Sequence, residues 1–171
     1  MLTDGLEFEK GKTMIEFFND PVQWQILGQL GIALGLGALI GLEREYADRP
    51  AGLRTHMLVT ATSTLLICLG ELLVRNFQEE FPVAILQTDP FRLIGAIALG
   101  ISFLGAGTII RRNDGGSVTV EGLTTAATIL FAASIGVAVA VSQYILAFGA
   151  TALVLVILRG LKQWEQNHTP L

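Results

Sequence analysis

Charge is what this sequence has least of. Of its 171 residues, only 15% are Asp, Glu, Lys or Arg, where soluble domains carry nearer a quarter. Residues 93–110 and 123–158 contain none at all. With 51% hydrophobic residues and a mean hydropathy of +0.58, this is the composition of a membrane protein. Cysteine is nearly absent too. The single one, Cys68, lies in an apolar run, which excludes an intrachain disulfide and a metal site built on paired thiolates. A net charge of −4 without a concentrated basic face gives no sign of nucleic-acid binding, and no nucleic-acid partner is expected. The first twenty residues hold five acids, two lysines and no apolar core, so they are not expected to be a cleavable signal. No nucleophile is paired with a base and no metal-ligand signature occurs, so no enzyme is expected.

Apolar runs are what the sequence has in plenty. A helix needs about 20 apolar residues to cross a hydrocarbon core of roughly 30 Å. Trp24–Leu42, His56–Val74 and Leu93–Ile110 are runs of 19, 19 and 18 residues, with one acid, Glu71, near the end of the second. The 36 residues Leu123–Leu158 are too long for one crossing and suit two, turning at Ser142–Gln143. The expectation is an all-α membrane protein of five transmembrane helices, at about 24–42, 56–74, 92–110, 123–141 and 144–161. A polar segment, 1–20, precedes this domain (21–161), and a short tail, 162–171, follows it. Trp24, Tyr46, Tyr144 and Trp164 flank the first and fifth helices as interfacial anchors should.

Basic residues orient the bundle. Five crossings put Arg44, Arg49, Arg54, Arg111, Arg112, Arg159 and Lys162 on one side, against Lys10, Lys12, Arg75 and Arg92 on the other. The richer side belongs in the cytoplasm, which puts the N-terminus outside and the C-terminus inside. A shift of 70 residues lays "LGLGALI" (34–40) on "LGAGTII" (104–110) and "GLRT" (52–55) on "GLTT" (122–125), seven identities over 22 positions. Helices one and two then repeat as three and four in parallel orientation. Gly31/Gly35 and Gly37/Gly41 on the first helix have the i,i+4 small-residue spacing that lets helices pack closely or a second copy dock, and Gly100, Gly105 and Gly107 on the third helix are expected to pack likewise.

The stretch "GLEREYADRPAGLRT" (41–55) gathers three arginines and three acids between two apolar runs. Glu43, Arg44, Glu45 and Arg54, with Glu121 from the repeat-related turn at 111–121, form the candidate functional cluster. It can serve as a topology-fixing ion-pair network, as carboxylate oxygens for hydrated Mg²⁺, or as a docking surface for a partner. Glu71 is the candidate intramembrane acid, since charge inside a span is costly and tends to be functional. Asp89 before Pro90 reads as the cap of the third helix. His56 reads as interfacial and His168 as a solvated tail residue.

"GALIGLEREYADRPAGLRTHMLV", "DPFRLIGAIALGISFLGAGTIIRR" and "VEGLTTAATILFAASIG" together resemble the membrane domain of the MgtC/SapB family, from about Gly31 to Leu161. The resemblance implies a bacterial inner-membrane protein tied to magnesium limitation and ion homeostasis. Some members are described as magnesium transporters. Others are described as regulators that bind partner membrane proteins such as the F-type ATP synthase. Ending soon after its last helix, the chain resembles the short form without the C-terminal ACT-like domain. No cofactor is implied beyond Mg²⁺ as an ion moved or sensed, and no metal ligands are assigned. The implied partners are membrane lipid, further copies of the chain and other membrane proteins.

Overall fold

The computed structural model describes residues 21–80, 90–114 and 117–168. Five helices and one hairpin follow in order: α1 (Pro21–Tyr46), α2 (Leu53–Glu80), α3 (Pro90–Gly107), β1 (Ile110–Asp114), β2 (Ser117–Glu121), α4 (Leu123–Ala140) and α5 (Tyr144–His168). The chain is an all-α membrane protein with a small hairpin added. Pro21–Tyr46, Leu53–Arg75 and Leu123–Ala140 are long and apolar enough to cross a membrane, while Phe91–Gly107 and Tyr144–Gly160 are shorter apolar helices. The segment 1–20, Asp89 and residues 169–171 lie outside the described residues, as do the side chains of Trp164 and His168.

Several helices overrun their apolar spans, because a charge ends a hydropathic run without ending a helix. α1 continues through Glu43, Arg44 and Glu45 and stops where Asp48 adopts φ 54°. There Asp48 N–H donates to Glu45 O and Arg49 N–H to Arg44 O, both at 3.0 Å, the paired bonds of a Schellman stop. α4 ends the same way: Ser142 has φ 59°, its N–H donates to Val139 O at 3.0 Å, and Gln143 N–H donates to Ala138 O at 2.8 Å. Neither stop uses the usual glycine. α5 runs to His168, so residues 162–168 are helical.

α3 ends at Gly107, and Ile110 already belongs to β1. The strands pair antiparallel from Ile110↔Glu121 to Asp114↔Ser117, leaving Gly115 and Gly116 between them in the sequence. A Gly-Gly pair between alternating residues is a hairpin signal. The turn expected at 111–121 is therefore two paired strands. The α1–α2 connection is instead a tight turn over 47–52. The two halves share helix order but not connections, and the 70-residue repeat rests on sequence alone.

α4 is the central plank, touching all four other helices. On one side Ile129, Ala132 and Ala133 join Val59, Ile67, Ile97 and Ile101 of α2 and α3. On the other, Ile135 and Val139 join Ala33, Leu36, Ile40, Ala147 and Val154 of α1 and α5. α3 is a peripheral helix with Phe91, Leu99 and Phe103 about 80% exposed, a face that belongs in lipid.

A buried charge and histidine cluster at one end of the bundle

The C-terminus of α1, the N-termini of α2 and α4 and the C-terminal part of α5 meet at one end of the bundle. Glycine makes the α1–α2 approach possible. A Cβ at Gly37 would lie 2.6 Å from His56 O, and one at Gly41 would lie 2.6 Å from Leu53 Cα. Gly136 does the same for α4, where a Cβ would fall 2.2 Å from Thr60 O. Gly105 packs on Ala126 at 3.3 Å, whereas Cβ atoms at Gly31, Gly35, Gly100 and Gly107 would meet nothing within 4 Å. The close helix-to-helix seats are thus Gly37 and Gly41 on α1 and Gly136 on α4, while four of the seven glycines expected to pack are open.

Burial then sorts the charged residues. Glu43 and Arg44 are 5% and 4% exposed, and Arg44 Nε donates to Glu43 Oε2 at 2.6 Å. Sequence neighbours on a helix do not normally face each other, so burial imposes this pairing: an unpaired charge there would cost several kcal/mol. Glu45 is exposed and caps α2, its Oε2 accepting from Leu53 N–H at 2.9 Å. Arg54 is exposed, and among the described residues no ion pair joins it to Glu43 or Glu45. Glu121 lines a groove of about 430 Å³ together with Arg44 and Arg49 and has an interaction of its own. Glu43, Arg44 and Glu121 are thus brought to one place, with Glu45 and Arg54 at its edge.

His56 is fully buried, not interfacial. Its Nδ1 lies 3.0 Å from Gly52 O, and its Nε2 lies 3.3 Å from Thr128 Oγ1 on α4. A carbonyl can only accept, so Nδ1 donates to Gly52 O. The Thr128 hydroxyl itself donates to Thr125 O at 2.9 Å. Below His56 the same face of α2 continues with Thr60, Ser63 and Thr64, all fully buried. Each donates to the carbonyl four residues back, and Thr64 Oγ1 also reaches Gly136 O at 2.8 Å. The seam is polar yet closed.

The other end is built differently. A wide cavity of about 1110 Å³ is lined by Gln25, Gln29, Cys68, Glu71, Arg75 and Arg92 among apolar residues. Glu71 is exposed there, two helical turns above the buried seam. Gln29 is buried and caps α4, its Nε2 donating to Ala140 O at 3.0 Å, while Cys68 Sγ donates to its Oε1 at 3.3 Å. Reasoning from sequence missed Gln29, Gly136 and the burial of His56. The signal for His56 was the run of His56, Thr60, Ser63 and Thr64 at helical spacing on one face.

The MgtC family profile matches residues 30–167, from within α1 to within α5. Protein SapB of Bacillus subtilis is 34% identical over 143 residues, covering 84% of this chain and 58% of SapB. Protein MgtC of Salmonella typhimurium is 39% identical over 123 residues, covering 72% of this chain and 46% of MgtC. An Escherichia coli protein named "Putative magnesium transporter YhiD" is 33% identical over 126 residues, covering 74% of this chain and 55% of YhiD. The chain thus spans about half the length of the curated relatives it matches, and no solved structure matches it. By the reach of that profile and the level of these identities, the chain belongs to the MgtC family.

Proposed function

We propose that this membrane protein supports magnesium homeostasis in the bacterial inner membrane, N-terminus outside, by binding partner membrane proteins rather than by catalysing a reaction or carrying ions through its own core. The closed seam between α1, α2 and α4 supports this. Its hydroxyls donate to carbonyls of their own helix, no buried side-chain polar atom among the described residues lacks a partner, and the glycine seats bring backbones to contact. A path for a hydrated ion would have to break those contacts. Transport is the second reading. It is favoured by the wide cavity that holds Glu71 and by the name of the Escherichia coli relative.

Mg²⁺ flux into liposomes carrying the purified chain separates the two. Partner binding predicts no flux above protein-free liposomes, together with impaired growth in low Mg²⁺ when Glu43→Gln replaces the parent at normal membrane levels. Flux that follows the Mg²⁺ gradient and scales with protein would overturn it in favour of transport.

A further inference from the structure

Both ring nitrogens of His56 face oxygens in a closed site. The residue is fully buried, yet it lies in the first turn of α2, close to the exposed residues 48–50 of the α1–α2 connection. Nδ1 donates to Gly52 O at 3.0 Å, and Nε2 lies 3.3 Å from Thr128 Oγ1 on α4. The Thr128 hydroxyl gives its own hydrogen to Thr125 O at 2.9 Å. A hydroxyl has one hydrogen to give. While it is spent on Thr125 O, the oxygen offers Nε2 only lone pairs.

That geometry suits a ring with a hydrogen on each nitrogen. An imidazolium donates twice, to Gly52 O and to Thr128 Oγ1, and both acceptors are in place. The same heavy atoms also serve the neutral ring: turning the Thr128 hydroxyl from Thr125 O toward Nε2 makes that nitrogen an acceptor. The two states differ by one proton and one hydroxyl rotation, with no repacking of α2 against α4. The charged groups that act on the ring are Glu43 and Arg44 of α1, which balance each other as an ion pair. α4 has no ionisable side chain, and α3 has only Arg92, at the other end of the bundle.

We infer that His56 is a proton switch: in acid its ring takes up a proton at Nε2, from the side that the α1–α2 turn faces, and donates to Thr128 Oγ1. Histidine is the side chain whose charge ordinarily changes in the physiological range. The protonated ring ties α2 to α4 by a charge-assisted hydrogen bond. It also adds one positive charge to a buried cluster that is otherwise balanced. The switch goes beyond the proposed function and stands whether the chain binds partners or moves ions.

Nitrogen NMR of the histidine ring in the detergent-purified full chain tests it, because each ring nitrogen reports its own protonation. The sequence has two histidines, so a His168→Gln background leaves His56 as the sole signal. Between about pH 8 and pH 4, with the fold checked at each step by circular dichroism, Nε2 should pass reversibly from unprotonated to protonated while Nδ1 keeps its hydrogen. Thr128→Val removes the acceptor and should move the midpoint toward acid by at least about one pH unit. Thr128→Ser keeps the oxygen and should leave the midpoint in place. A ring that holds one protonation form across that range in the folded protein would overturn the inference, as would a midpoint that Thr128→Val leaves unchanged.

Discussion

At the scale of single residues, the buried pair Glu43–Arg44 and the histidine beside it decide how this end of the molecule is held. Removing one partner of a buried ion pair leaves a bare charge and costs about 3–5 kcal/mol, whereas replacing both by apolar residues of similar size can be neutral. Glu43→Leu should therefore lower the thermal unfolding temperature of the detergent-solubilised protein sharply. Glu43→Leu combined with Arg44→Met should recover most of the loss. Equal damage in the single and double variants would show that the pair contributes nothing through its charges. His56→Ala removes a buried ring together with its contacts to Gly52 O and Thr128 Oγ1, and a loss of about 2–4 kcal/mol is expected. Cys68→Ser keeps a donor for Gln29 Oε1 and should be nearly silent.

At the scale of helices, glycine and the two Schellman stops carry the predictions. Gly37→Ala and Gly136→Ala drive a methyl into the backbone of α2. Both should destabilise by about 3 kcal/mol, the upper end of overpacking costs, because a backbone cannot move aside as a side chain can. Gly35→Ala meets open space and should be neutral or slightly stabilising through helix propensity. A thermal shift at Gly35 as large as that at Gly37 would contradict these packing assignments. Asp48 ends α1 at φ 54°, a conformation that Gly adopts freely, Asp tolerates and a β-branched residue resists. Asp48→Gly should preserve stability, and Asp48→Val should lose about 1–2 kcal/mol.

At the scale of the whole molecule, the two ends are chemically unlike. One is compact, with buried charge and a narrow groove; the other opens into a wide cavity bearing Glu71, Arg75 and Arg92. The excess of Arg and Lys at the compact end predicts that it faces the cytoplasm. Single cysteines introduced at Lys10 and Gln166 in a Cys68→Ser background should label from opposite faces of the membrane. Labelling of both from one face would remove the five-crossing topology.

The number of helices, their approximate places and the membrane itself were determined by sequence, because apolar run length and the absence of charge are properties of a segment that need no neighbour. So was the family, whose blocks are contiguous in the chain. Residues such as His56, Gln29 and Gly136 were not legible in that way. Whether a histidine at a helix start meets water or Thr128 depends on where α4 passes, and α4 lies about 70 residues away along the chain. Gly35 and Gly37 look alike in sequence and differ only because α2 crosses α1 beside one of them. Likewise Glu43, Arg44 and Glu45 read as three equal charges until tertiary packing buries the first two and leaves the third to cap α2. Burial and partner choice come from the crossing of helices, and that crossing was decided by the tertiary structure alone.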